Sequence, residues 1–485
     1  MHLAPIDLAV LAVYMAGITL FGIRFRRGQR DIRDYFLGGR SAPWWALALS
    51  IVATETSTLT IIGTPATSYA GDCTFLQLVF GYVVGRFALA ALFIPRFFRG
   101  EFYTAYQLIE KRFGPKAKSA AALMFLVTRA LAEGVRVAAV ALVVHVAFGT
   151  GQKTSIIVVL LLTLIYTWEG GMKAVIWTDV IQTVIYLGGS AIAFFLILHK
   201  IPGGWAQISS VAAASGDKLR VFDFHFSLFD PAHTYSFWAG VIGGTFLTMA
   251  SHGTDQTIVQ RLLAARSERQ SKMALLGSAG IVLVQFALFL ELGVMLFAFN
   301  GAPHIVAGQS YDSVFPIFIV TQMPMGLRGL VLAAIFAVAM SNASGSLNSL
   351  AASSVVDFSE VFGTRTADPA RVLKLSRWLT LAWGAVLLML GTVNWGPVLT
   401  AGLKIASITF GSLLGVFLLG FFNPRATSRG AIIGMATSLI VMLFVTHQNK
   451  LVWTWFVLLG TLVAVAAGSL ASLFDRAPQV ATREG

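Results

Sequence analysis

The 485-residue chain has a single cysteine, Cys73, and only 12% charged residues, against 56% hydrophobic ones. One thiol excludes an intrachain disulfide, and with no cysteine partner or histidine cluster nearby Cys73 reads as a small packing residue rather than a metal ligand. So little charge excludes a soluble globular protein and leaves an all-α polytopic membrane protein, solvated by a lipid bilayer. No low-complexity tail or polar block of catalytic-module size interrupts the apolar pattern, which argues against a fused sensor or a membrane enzyme with a cytosolic catalytic unit. No nucleophile and base stand at metal-like spacing, and no repeated filter sequence of the kind a passive channel needs is present. The formal net charge of +13 does not point to nucleic acid, because the basic residues cluster in short loops between apolar spans. The first span begins near Pro5 with no basic segment or small-residue cleavage site before it, so it is expected to be a retained helix.

About thirteen apolar spans are long enough to cross a hydrocarbon layer of ~30 Å. They lie near 5–24, 43–70, 75–98, 119–149, 154–170, 174–199, 234–262, 271–300, 327–357, 375–393, 396–420, 429–447 and 451–474. Arg24, Arg26, Arg27, Arg30, Arg33 and Arg40 follow the first span, and Arg96, Arg99, Lys111, Arg112, Lys116 and Lys118 follow the third. The positive-inside bias makes those sides cytoplasmic, with the N-terminus outside and the C-terminus inside a cell (inner) membrane. Two longer connections, 200–233 and 301–326, then fall outside as caps over an external vestibule. The segment Glu101 to Gly114 alternates apolar and charged residues at helical spacing and is expected to lie along the membrane surface.

One stretch departs from the apolar rule. Ser50 to Asp72 sits at membrane depth yet is rich in Thr, Ser and Gly, contains Pro65, and carries Glu55 in mid-segment. Loosened backbone at that depth is tolerated only when buried in protein or lining a wet cavity, so a discontinuous, site-bearing helix is expected. The alternative is a kinked structural helix whose hydroxyls bond back to its own carbonyls. Five spans later, 234–262 is interrupted in the same way by Gly240, Gly243, Gly244, Ser251, His252, Gly253, Thr254 and Asp255. Two broken helices five spans apart fit an inverted repeat, here 43–199 and 234–420, with 1–42 and 421–485 peripheral.

In the ninth span Ser341, Ser344 and Asn348 form a helical stripe continued by Ala351 and Ala352. Such a stripe either admits a neighbouring helix closely or offers neutral oxygens to a hard cation such as Na⁺. Ionisable residues within spans are costly and functional by default. Arg129, Glu133 and Arg136 lie one turn apart, and one glutamate neutralises only one arginine, so the leftover cation is free to meet a solute. Glu55 is a second solute or proton candidate, with Lys404 or Arg136 as possible partners. Glu291 and Arg86 read as structural charges near interfaces, Trp44, Trp45 and Trp395 as interface anchors, and His252 as a lone pore-lining candidate.

The segment YTWEGGMKAVIWTDVIQ, Tyr166 to Gln182, resembles the signature of the sodium/solute symporter family. DYFLGGRSAPWW (Asp34 to Trp45), DQTIVQRLLAA (Asp255 to Ala265) and the LNS of Leu347 to Ser349 are similar to further motifs of that family. The resemblance implies a leucine-transporter-type fold of two inverted five-helix repeats, alternating access, and symport of a small polar organic solute with Na⁺. It implies a sodium site made of the backbone carbonyls of Ala53, Thr56 and Val338 and the side chains of Ser341 and Asn342, supported by Asp179. As ion-side groups, Ser341 and Asp179 should be replaceable by alanine without loss of the fold. Asn342 departs from the second hydroxyl usual in the family. Ser344 is followed by Gly345 where members with an additional ion have a further serine, so one sodium is expected. Leu59 and Thr60 stand where sugar carriers place acidic and amide residues, which demotes sugars. Ser57, Thr60 and an arginine of the fourth span are similar to sialic-acid-type members instead. The candidate solute contacts are Glu55, Ser57, Thr60, Phe75, Arg136, Thr248, Ser251 and His252.

Overall fold

The computed structural model describes residues 3–24, 37–99, 105–151, 153–157, 172–301, 310–356 and 369–475, and among them every regular element is helical. In order these are α1 (Pro5–Arg24), α2 (Trp44–Glu55), α3 (Thr58–Ala70), α4 (Leu76–Leu92), α5 (Ile94–Phe98), α6 (Tyr106–Phe113), α7 (Pro115–Phe148), α8 (Met172–Lys200) and α9 (Gly204–Ala214). The second half runs α10 (Phe237–Gly253), α11 (Gln256–Leu263), α12 (Glu268–Asn300), α13 (Val314–Gln322), α14 (Leu327–Val356), α15 (Pro369–Gly391), α16 (Val398–Phe422), α17 (Ser428–Gln448) and α18 (Phe456–Leu473). Among the described residues eight helices are long and apolar enough to span a membrane, or nine if α2 and α3 count as one bent span, with shorter apolar helices at Pro5–Phe21 and Trp378–Gly391. Helix is the dictated solution, since hydrocarbon offers no partner for an open amide or carbonyl. The chain is thus a multi-pass, all-helical membrane protein. Of the expected span 154–170, residues 158–170 lie outside the described residues, as do Asp34 to Phe36, Tyr166 to Gly171, Glu101 to Thr104, 302–309 and 357–368.

The interruption expected in Ser50 to Asp72 is present. Thr56 (φ −80°, ψ 94°) and Ser57 (φ −94°, ψ 176°) are extended, and α2 and α3 meet at 65°. The second interruption falls at Thr254 and Asp255, between α10 and α11, where Asp255 (φ −79°, ψ 119°) caps α11 by accepting from the Thr257 amide at 2.8 Å. Close backbone approach holds both broken helices in place. A Cβ on Gly244 of α10 would lie 2.3 Å from the Leu78 carbonyl oxygen of α4, and one on Gly293 of α12 would lie 2.1 Å from the Pro65 carbonyl oxygen of α3. Only glycine fits these crossings, the membrane form of small-residue packing.

The 200–233 connection closes the C-terminal end of α3. Lys218 is buried and donates to the carbonyls of Tyr69 (2.9 Å) and Gly71 (2.6 Å), satisfying the open C-terminal end of the helix and opposing its dipole. Burial pulls this ammonium below the ordinary lysine range, with Asp72 opposing the shift. Arg220 clasps Asp72 at 2.7 Å, and the Asp223 amide donates to Gln77 Oε1 of α4 at 3.2 Å while its carboxylate meets His233 at 2.6 Å.

Candidate functional site

Breaking the first helix frees main-chain oxygens. In a continuous helix Ser57 N would donate to Ala53 O and Thr60 N to Thr56 O; instead they donate to Glu55 O (3.1 Å) and Ser57 O (2.9 Å). The carbonyls of Ala53 and Thr56 are therefore outside the helical ladder, which is what a hard cation requires of its neutral ligands. Across from the break, α14 contributes Val338, buried, and Asn342, which shares a small cavity with Ser57, Thr58, Glu133 and Arg136. Asn342 Nδ2 and Thr58 Oγ1 are buried there with no hydrogen-bond partner. Turned about its amide, Asn342 would present Oδ1, a neutral oxygen, to the same space. The side chains of Ser341 and Asn348 lie outside the described residues; Ser344 is buried.

Two other members of the expected ion site have partners that periodicity did not disclose. The Thr56 hydroxyl contacts the Gln285 amide of α12 (Nε2 donates at 2.8 Å), which in turn accepts from the Tyr186 hydroxyl of α8 at 3.1 Å. Asp179 Oδ2 accepts from Ser50 of α2 (2.6 Å) and forms an ion pair with Arg261 of α11 (2.9 Å), all of it buried. Asp179 is thus a cross-tie among α2, α8 and α11, a geometry that argues against its removal without harm to the fold.

Beside the break a cavity of about 140 Å³ is lined from both broken helices, by Glu55, Ser57 and Thr60 on one and Thr248, Ser251 and His252 on the other, and by Arg129 and Arg136 of α7. The sequence candidates thus come together, with one exception. Phe75 is fully buried between the rings of Tyr235 (4.9 Å) and Phe286 (5.7 Å), and of this stack only Phe286 reaches the cavity wall.

The charges pair differently from the expectation. Arg136 donates to Glu133 at 3.1 Å, and Arg129 lies 3.8 Å from Glu133 and 3.6 Å from Asp255, so two arginines meet two carboxylates and no cation is left over. Ser346 ties this network together, accepting from Arg129 Nε and donating to Glu133, each at 2.8 Å. Arg136 keeps one unmatched donor: its Nε is buried and has no hydrogen-bond partner. Lys404 does not pair with Glu55; it donates to Asn449 at 3.1 Å. Glu55 is paired with Arg86, which is fully buried and not an interface charge, and His252 is 3.6 Å from the same carboxylate oxygen, so it is not a lone histidine. The signal for Arg86 was available, since an isolated arginine inside an apolar helix is functional by default. Gln285, Tyr186 and Ser346 gave no such signal, because single polar residues on long helices have no period to betray them.

A sodium:solute symporter family model matches residues 35–438. The sodium/sialic acid symporter SiaT of Proteus mirabilis is 29% identical over 98% of this chain and 96% of its own length. The human sodium/iodide cotransporter is 30% identical over 90% of this chain and 68% of its own length. Among solved structures, the substrate-bound outward-open state of a Na⁺-coupled sialic acid symporter superposes with a TM-score of 0.85 at 29% identity, covering 98% of this chain and 99% of that one. A broken helix with freed carbonyls, a cavity shared with a second broken helix, and a family match across most of its length agree: the chain belongs to the sodium:solute symporter family and is a sodium-coupled symporter of a small solute.

Proposed function

We propose that the protein imports a small organic carboxylate together with Na⁺ across the inner membrane by alternating access. The observation that carries this reading is Arg136, which lines the cavity together with Ser57, Thr60 and Ser251 and whose buried Nε has no hydrogen-bond partner. A planar fork and hydroxyls are the recognition set of a carboxylate bearing polar substituents. The named solutes of the two relatives, sialic acid and iodide, are anions at neutral pH, which supports an anionic solute, and sialic acid is itself a carboxylate. The sodium ion is held by the carbonyls of Ala53, Thr56 and Val338 with Ser341 and Asn342, beside the solute, so each favours the other's binding. The architecture is thirteen spans with inverted repeats at 43–199 and 234–420, the N-terminus outside and the C-terminus cytoplasmic.

Because the four charges around Arg136 balance, a neutral solute is the second reading. Proteoliposomes separate the two: labelled N-acetylneuraminate or lactate should accumulate under an inward Na⁺ gradient and fall to background when K⁺ replaces Na⁺. Uptake of glucose under the same gradient, with no uptake of either acid, would overturn the carboxylate reading.

A further inference from the structure

The charge cluster at the far side of the cavity is not explained by holding a carboxylate at Arg136. Glu55 is the last residue of α2, His252 stands one residue before the end of α10, and Arg86 of α4 lies between them. Arg86 is completely buried and fixed by Tyr82 O (3.2 Å) and Ser278 Oγ (3.2 Å), and His252 is fixed by Ser251 Oγ at 2.8 Å. Both contact Glu55 through one oxygen, Oε2. The side chain of Glu55 remains 15% exposed and lines the cavity, so Oε1 stands outside the ion pair on an orientation locked from behind. A carboxylate held this way has only acceptor capacity. It binds an O–H or N–H donor and rejects a second carboxylate or an apolar chain, which would leave a buried acceptor unmatched.

We infer that Glu55 is the specificity residue that reads a hydrogen-bond donor on the solute, so that the transported carboxylates are hydroxylated or amino-substituted and simple fatty or dicarboxylic acids are poor ligands. The inference rests on the carboxylate reading of Arg136, and supplies the second end of the same ligand. Arg86 is a positioning residue, since it acts only through Glu55.

The test uses the full-length purified protein in saturating Na⁺ and compares three six-carbon probes by thermal shift: gluconate, hexanoate and sorbitol. Gluconate should bind at least about tenfold tighter than hexanoate, the scale of one charge-assisted hydrogen bond. In Glu55→Gln that preference should shrink toward one. Since Glu55→Gln leaves Arg86 buried without a full counter-charge, the double variant Glu55→Gln/Arg86→Gln is measured too, and should show the same loss of preference with the charges again balanced. Equal binding of hexanoate and gluconate, or a preference that survives in both variants, would overturn the inference while leaving the carboxylate reading in place. Sorbitol binding as tightly as gluconate would instead overturn the carboxylate reading, as would stabilisation by none of the three.

Discussion

Asp179→Ala should destabilise the protein by about 3–5 kcal/mol, the cost of leaving one member of a buried ion pair without its partner. Removing the carboxylate strands Arg261, which is buried and whose other contacts are the Thr257 carbonyl (2.7 Å) and Ser50 hydroxyl (2.9 Å). The three helices joined there, α2, α8 and α11, include one half of each broken helix, so the loss should reach the freed Ala53 carbonyl three residues beyond Ser50 on α2. The measurement is the thermal midpoint and the gel-filtration profile in detergent. Asp179→Ala/Arg261→Met should recover part of the loss, because it removes both charges and restores apolar volume. An alanine variant with the wild-type midpoint would show that the pair is not a structural tie.

Arg136→Lys should raise the apparent solute constant roughly 10- to 100-fold, the equivalent of one charge-assisted hydrogen bond of about 1.5–3 kcal/mol. A lysine keeps the charge and the balance against Glu133 and Asp255, but an ammonium cannot offer the two parallel N–H groups of the fork. Sodium binding measured without solute should stay near normal, since the freed carbonyls of Ala53 and Thr56 belong to the broken helix and not to α7. An unchanged solute constant would remove Arg136 from the binding site.

Both interruptions were legible in the chain, because clustered Thr, Ser, Gly and Pro65 at membrane depth leave the backbone few ways to stay a continuous helix. The cavity residues contributed by the two broken helices were legible for the same reason. What periodicity could not supply was the neighbour of each helix. Spacing along α7 shows that Arg129, Glu133 and Arg136 share a face, and from that alone a cation is left over; the balancing Asp255 comes from α11's cap, far along the chain. Glu55 likewise meets Arg86 of α4 through the side chain alone, and not Lys404, which donates to Asn449. Pairing inside a bundle depends on which helices touch, and close glycine crossings such as Gly244 on Leu78 decide that only in three dimensions.

The most direct test of the transport cavity is thiol accessibility. Native Cys73 is first replaced by alanine, so that only the introduced thiols report. Thr60→Cys and Ser251→Cys place a thiol on each broken helix at the cavity wall, whereas Thr56→Cys places one in the fully buried contact with Gln285. A small water-soluble thiol reagent should label the first two and not the third, and Na⁺ with a transported carboxylate should slow that labelling several-fold. Thr60→Cys and Ser251→Cys that resist the reagent from both sides of the membrane under every condition, or Thr56→Cys that labels as fast as they do, would contradict the account.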